Sequence, residues 1–159
     1  MEILDVFDIS GNSIGKRITR GKDKLTEGEF IKLVVVWIED NGKFLIQKTS
    51  KEKDSVYAVT GGHLTFGNSA TKQIAIEVKE ELGVDIDEKK LKFLGNIILK
   101  NAIFEVYLCK NQIDKNTKLT LQKEEVENVF WMNKDEIDEL IKAGVFRKSS
   151  EEHYKRFIK

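Results

Sequence analysis

The sequence predicts an α/β protein in which a mixed β-sheet lies between helices. Short apolar segments rich in β-branched residues are typical of strands, and they alternate irregularly with segments of helical periodicity. Repeated strand-helix-strand units, which would indicate a doubly wound parallel sheet, are absent from the pattern. The strongest helical signal covers residues 69–82, where Ala70, Ile74, Val78 and Leu82 form an apolar stripe at four-residue spacing. These observations favour a sheet covered by helices on both faces.

The chain length predicts one domain. A chain of 159 residues with 40% hydrophobic residues is long enough for one substantial core and short for two. The sequence lacks proline and has no low-complexity tract that would mark a linker. We therefore expect a single domain over residues 1–159, with an N-terminal hairpin extension at 1–28 and a core at 29–159.

Charge and composition restrict the expected partners and compartment. Lysine plus arginine and aspartate plus glutamate each total 27, so no overall basic field would hold a polyanion such as nucleic acid. The longest apolar run, Leu33 to Ile38, is too short to span a membrane, and the N-terminus lacks the pattern of a signal peptide. Cys109 is the only cysteine, which excludes an internal disulfide. We expect a cytoplasmic protein with a small-molecule ligand and no membrane or nucleic-acid partner.

The first half of the chain predicts strands followed by a helix. Two short strands around Ser10-Gly11-Asn12 form a hairpin, and two longer strands meet at Asp40-Asn41-Gly42. A short strand over residues 56–59 enters Gly61-Gly62, where we expect a sharp turn that brings backbone carbonyls near a ligand. The helix then begins after Asn68 or Ser69 as its N-cap and ends before Gly83.

The second half predicts three more strands and two helices. The strands are residues 91–99, 102–109 and 129–132, and the helices are residues 134–143 and 150–158.

The helix over residues 69–82 also carries three clustered glutamates. Glu77, Glu80 and Glu81 fall within an arc of about 100° because helical residues three and four apart are neighbours. Carboxylates this close repel one another unless a cation compensates them, and Mg²⁺ prefers oxygen ligands. A magnesium site is one interpretation. A solvated acidic face is the alternative, and from the helix alone the two are equally favoured.

Residues 62–84 resemble the box of the Nudix (MutT-like) hydrolases, G-x5-E-x7-R-E-U-x-E-E-x-G-U, where U is aliphatic. Seven of the nine specified positions match: Gly62, Glu77, Val78, Glu80, Glu81, Gly83 and Val84. Asn68 stands where the family has glutamate, and Ile76 stands where it has arginine. The order of strands and helices over residues 30–143 is similar to the family layout. The N-terminal stretch resembles the branch related to isopentenyl-diphosphate isomerase.

The resemblance implies a fold, a reaction and a set of site residues. The fold is a Nudix-like α/β/α sandwich, and the reaction is hydrolysis of a phosphoanhydride in a nucleoside diphosphate derivative or a similar small molecule. Glu77, Glu80 and Glu81, with the carbonyl of Gly62, would hold Mg²⁺, with Mn²⁺ as the alternative ion. Glu80, Glu81 and Glu125 are the expected catalytic carboxylates. The run Glu124 to Glu127 is equally consistent with a solvated charge cluster.

An arginine and a histidine also fall near the expected site. Among the basic side chains able to reach a diphosphate, Arg20 is the preferred substrate-binding residue. His63 follows the glycine pair but, as a lone loop histidine, is more often structural.

Two further functions remain open because of the departures from the box. Ile76 offers no hydrogen-bond donor and Asn68 no charge, which is consistent with a non-catalytic ligand-binding module. An allylic diphosphate isomerase ranks lower, because such enzymes use an active-site cysteine and Cys109 falls inside a predicted strand. The substrate and the oligomeric state stay open, with a homodimer through the N-terminal strands as one arrangement.

Overall fold

A computed structural model of the protein describes residues 1–159 and contains a seven-stranded mixed sheet and a separate two-stranded hairpin. The hairpin strands are β1 (Ile3–Phe7) and β2 (Ser13–Thr19), and the sheet strands are β3 (Ile31–Asp40), β4 (Lys43–Thr49), β5 (Tyr57–Ala58), β6 (Thr60–His63), β7 (Lys92–Leu99), β8 (Ala102–Lys110) and β9 (Val126–Met132). The helices are α1 (Ala70–Leu82), α2 (Lys134–Lys142) and α3 (Lys148–His153), which continues into a π-helical turn at Tyr154–Ile158. A 3₁₀ turn covers Glu88–Lys90.

Strand β3 is the centre of the sheet. It pairs parallel with β8 over its whole length, antiparallel with β6 over Leu33–Val36, and with β4 only next to the turn. Strand β4 then diverges from β3 and pairs with β5 and β9. Where β4 diverges, β6 takes its place beside β3 and packs against the helix α1 that follows it.

Helices cover both faces of the sheet, which explains the continuous apolar run in β3. Val34, Val36 and Ile38 pack toward the buried side of α1, whereas Val35 and Trp37 pack on the opposite face with residues of α2 and the C-terminal turn. A strand that is buried on both faces needs apolar residues at consecutive positions. The predicted α/β/α sandwich with a mixed sheet is therefore confirmed.

The ends of α1 and α2 follow the capping signals of the sequence. Ser69, not Asn68, caps α1 by accepting a hydrogen bond from the Lys72 amide at 3.3 Å. Gly83 ends this helix with a φ of 72°, a conformation that side chains disfavour. Asn133 and Glu136 form a reciprocal capping box at the start of α2. The side chain of Asn68 does not cap the helix and instead forms hydrogen bonds with Thr65 and Gln73.

Gly61 and Gly62 lie in β6, so the expected turn at this point is wrong. Gly61 pairs with Val35 and Gly62 pairs with Val34 in an antiparallel ladder. Close approach requires these glycines: a Cβ on Gly61 would lie 2.6 Å from the backbone oxygen of Val34, and one on Gly62 would overlap the carboxyl group of Glu77. The glycine pair therefore allows β6 to lie directly against the acidic side of α1.

The N-terminal hairpin packs on the core near the end of β6. Leu4 forms an antiparallel bridge with Thr65, and Phe7 forms one with Phe30. Leu4, Val6 and Ile18 make a small buried cluster of their own. No helix of the structure combines the length and the apolar character needed to cross a membrane.

Candidate active site

All of the residues predicted for the site line one cleft of about 380 Å³. They are Gly62, Glu77, Glu80, Glu81, Glu125 and Arg20. They come from β6, α1, the loop before β9, and the segment after β2. The fold therefore brings together residues that are up to 105 positions apart in the chain, counting from Arg20 to Glu125.

The three glutamates of α1 have different environments. Glu81 is buried, Glu77 is half-buried, and Glu80 is exposed at the mouth of the cleft. The three glutamates therefore do not form one solvated acidic face, because Glu81 is buried with the apolar residues of the helix. No three acidic, histidine or cysteine side chains, as placed, form a ready-made metal-binding group.

Burial dominates the electrostatics of the inner pair. The pKa of Glu81 is raised to about 8, mainly by burial and also by the negative charge of Glu77, while a hydrogen bond from Gln47 opposes the increase. Burial also raises the pKa of Glu77, and the charge of Glu80 adds to this effect, whereas a hydrogen bond from Gln73 opposes it. Two neighbouring carboxyl groups that are largely removed from solvent are unfavourable as anions unless a cation compensates them.

The donor set of the cleft is suited to a hard divalent cation. Glu77, Glu80 and Glu81 supply carboxylate oxygens, and the backbone of Gly62 lies against the carboxyl group of Glu77 because no Cβ separates them. Oxygen ligands of this kind are those preferred by Mg²⁺ and similar ions. The residues present therefore fit such an ion.

The basic side chains of the cleft are all engaged in ion pairs. Arg20 contacts Glu2 at 2.6 Å, and Lys53 pairs with Glu125. Arg147 contacts Asp54 at 2.6 Å, and Arg20, Lys53 and Arg147 line the cleft. These pairs are partly exposed, so each interaction is weak enough for an arginine or lysine to exchange its carboxylate for a phosphate group.

Four residues near the glutamates were not predicted from the sequence. Gln47 donates a hydrogen bond to Glu81 and Gln73 donates one to Glu77, and Lys53 and Arg147 line the cleft. Gln73 lies one helical turn before Glu77, a spacing that already indicates contact. Gln47, Lys53 and Arg147 lie far from the box in sequence and carry no comparable signal.

Comparisons with known proteins identify the family. A family model described as the NUDIX domain matches residues 31–157. An uncharacterized Nudix hydrolase of Listeria innocua is 31% identical over 153 residues, covering 92% of this chain and 88% of the relative. A second uncharacterized Nudix hydrolase, from Listeria monocytogenes, is 29% identical over 151 residues, with the same coverage of 92% and 88%. The chain belongs to the Nudix hydrolase family, whose members are hydrolases that generally use divalent metal ions.

Solved structures show the same fold. A protein of Deinococcus radiodurans matches with a TM-score of 0.83 at 19% identity, covering 99% of this chain and 100% of that one. A bifunctional NMN adenylyltransferase/ADP ribose pyrophosphatase of Francisella tularensis, in complex with AMP and manganese, matches with a TM-score of 0.62 at 14% identity. That match covers 79% of this chain and 40% of the other.

Proposed function

We propose that the protein hydrolyses the phosphoanhydride bond of a nucleoside diphosphate derivative or a similar small molecule with the help of Mg²⁺. The pair of buried Glu81 and half-buried Glu77 beside the Gly62 backbone is the observation that carries this proposal. Mn²⁺ is the alternative ion, and the bifunctional Francisella tularensis neighbour is a complex with manganese and AMP. The name of that neighbour includes an ADP ribose pyrophosphatase, which supports a nucleoside diphosphate derivative as the substrate.

We assign two roles to the carboxylates of the cleft, metal binding and acceptance of a proton. Glu77, Glu80, Glu81 and the carbonyl of Gly62 would hold the metal, which when bound neutralises phosphate charge and acidifies a water molecule. A carboxylate of the set Glu80, Glu81 and Glu125 takes the proton of the attacking water. Glu125 is the candidate on a separate loop, and its ion pair with Lys53 has to open before it can act as a base.

Arg20 is the proposed substrate-binding residue. Its guanidinium group lines the cleft next to His63 and pairs with Glu2 across the N-terminal strands. Arginine binds phosphate oxygens through two parallel N–H groups, and a diphosphate can compete with the single carboxylate of Glu2. Arg147, which also lines the cleft, offers the same chemistry.

The principal alternative is a non-catalytic module that binds the same type of ligand, because Asn68 and Ile76 depart from the family pattern. An allylic diphosphate isomerase is disfavoured by the position of the only cysteine. Cys109 is completely buried in the core on the α1 side and does not line the cleft, and burial raises the pKa of its thiol to about 11.

The test is turnover on a panel of nucleoside diphosphate derivatives, sugar diphosphates, dinucleotides and prenyl diphosphates in the presence of Mg²⁺. We expect metal-dependent release of phosphorylated products by the wild-type protein and a loss of about 100-fold or more in Glu80→Gln. Glu139→Gln, which alters an exposed glutamate on α2, is the matched control and should retain wild-type rates. Ligand-induced thermal stabilisation without turnover would favour the binding module instead.

A further inference from the structure

The carboxyl groups of Glu77 and Glu81 in α1 receive the same kind of hydrogen bond. Gln73 Nε2 donates to Glu77 Oε1 at 3.0 Å, and Gln47 Nε2 donates to Glu81 Oε1 at 3.1 Å. Both glutamines are buried, with exposed fractions of 3% and 5%. Each acidic group of the inner pair is therefore held by one neutral amide.

A threonine hydroxyl fixes the orientation of each glutamine. Thr65 Oγ1 donates to Gln73 Oε1 at 2.8 Å, and Thr60 Oγ1 donates to Gln47 Oε1 at 3.2 Å. A glutamine amide has one oxygen that accepts and one nitrogen that donates. Because the donor lies at the oxygen end, the NH₂ group must point to the carboxyl group.

Asn68 belongs to the first of these arrangements. Its Nδ2 donates to Gln73 Oε1 at 3.0 Å and contacts Thr65 Oγ1 at 2.8 Å. The backbone amide of Thr65 also donates to Gln73 Oε1, at 3.2 Å. A glutamate at position 68 has no N–H group and would place a carboxylate against the acceptor oxygen of Gln73. Asparagine is therefore matched to Gln73.

We propose that two threonine–glutamine pairs, Thr65–Gln73 with Asn68 and Thr60–Gln47, are positioning residues that hold Glu77 and Glu81 in place for a divalent metal ion. This inference rests on the metal site of the proposed function. On this basis Asn68 helps to orient Gln73 in the metal site. Its difference from the glutamate of the family pattern therefore does not indicate a loss of activity. The two pairs come from different parts of the fold, since Thr65 precedes α1 and Thr60 and Gln47 lie in the sheet.

A neutral amide has a physical advantage over a charged group in this position. It orients a carboxylate through a hydrogen bond and leaves the negative charge available to the cation, whereas a guanidinium group at the same oxygen would neutralise part of that charge. Residues that orient metal ligands in this way typically change metal affinity or activity by about 10- to 100-fold when they are mutated.

The experiment measures Mn²⁺ binding to the full-length protein by electron paramagnetic resonance of the free ion, together with the melting temperature of every variant. Thr65→Val removes the hydroxyl at nearly constant shape, and Thr65→Ser restores it. Asn68→Asp removes the N–H donor at constant shape. Ser69→Ala is the matched control, because it removes the neighbouring helix cap but none of the hydrogen bonds to Gln73.

We expect the Kd for Mn²⁺ to rise by about 10-fold or more in Thr65→Val and Asn68→Asp. Thr65→Ser and Ser69→Ala should bind like the wild type, even though Ser69→Ala lowers the melting temperature. Should Thr65→Val fail to fold, Asn68→Asp decides the matter, since its side chain is only partly buried.

Two results would overturn the inference, and they differ in what else they affect. If the wild type binds Mn²⁺, Glu81→Gln weakens binding, and both Thr65→Val and Asn68→Asp bind within about twofold of the wild type, the positioning role is wrong and the metal site stands. If the wild type does not bind Mn²⁺, the metal site of the proposed function is wrong as well.

Discussion

Gly62 and Glu77 face each other where β6 meets α1, and only a residue without a side chain fits at position 62. A Cβ at this position would overlap the carboxyl group of Glu77. The close approach matters for the proposed chemistry, because it brings the backbone of β6 directly against a carboxyl group of the cleft. The two residues should therefore be coupled energetically.

We predict that Gly62→Ala costs about 1–3 kcal/mol of unfolding free energy in the wild type, the range found for overpacking. In a Glu77→Ala background the clash is removed, so Gly62→Ala should lower the unfolding free energy by clearly less. Chemical denaturation of the four proteins of this double-mutant cycle measures the difference. Glu80→Ala is the control background, because Glu80 is exposed and the atoms nearest to a Cβ at position 62 all belong to Glu77. Equal costs in all three backgrounds would show that the contact is not energetically important.

Helix α3 carries a buried histidine that makes the element sensitive to acid. His153 is completely buried, its ring packs on Phe104 with centroids 5.1 Å apart, and neither ring nitrogen has a hydrogen-bond partner. Burial lowers the pKa of His153 to about 4 from the ordinary histidine value of 6.5. The folded protein therefore keeps this histidine neutral at a pH where the unfolded chain already binds a proton.

We predict that the contribution of His153 to stability is complete above pH 6.5 and is lost as the pH falls from about 6.5 to about 4. The slope is at most about 1.4 kcal/mol per pH unit, because the unfolded state binds up to one additional proton in this range. His153→Leu should remove this slope in urea denaturation series. His63→Asn, which changes the other histidine, should retain it. A pH dependence that is unchanged in His153→Leu would contradict the assignment.

Helix α1 shows which properties of an element can be predicted from its own residues. Its limits, its Gly83 terminus and the burial of Ile74, Val78 and Leu82 follow from local periodicity and capping. The choice of Ser69 over Asn68 as the cap does not, because Asn68 is engaged with Thr65 and Gln73. The expected turn at Gly61-Gly62 was wrong for a related reason: glycine marks both turns and close backbone contacts, and only the packing partner distinguishes them.

At the scale of the whole molecule, the N-terminal hairpin contributes both to the core and to the cleft. Leu4 and Val6 are buried, β1 forms a bridge to Thr65 through Leu4, and Arg20 follows directly after β2. The organisation of residues 1–159 as one domain, with a hairpin at 1–28 and a core at 29–159, remains a prediction.

We predict that the hairpin and the core unfold together. Native-state hydrogen exchange measures the free energy of opening of individual amides. The slowest-exchanging amides of β1 and of β3 should have nearly equal opening free energies, because the buried contacts of Leu4 couple the hairpin to the core. Leu4→Ala should lower both values in parallel by about 2–5 kcal/mol. Hairpin amides that exchange much faster than those of β3 would show that the hairpin is a separate unit.

The sequence by itself determined the fold class, the order of most strands and helices, and the three glutamates on one side of α1, because periodicity, capping and the box are local properties of the chain. The tertiary structure decided how these glutamates differ and what surrounds them. Burial distinguishes Glu81 from Glu80, and Gln47 contacts Glu81 from 34 residues away. Arg147 and Lys53 reach the cleft from separate segments. Such relationships depend on which distant segments pack together, and a local pattern contains no information about them.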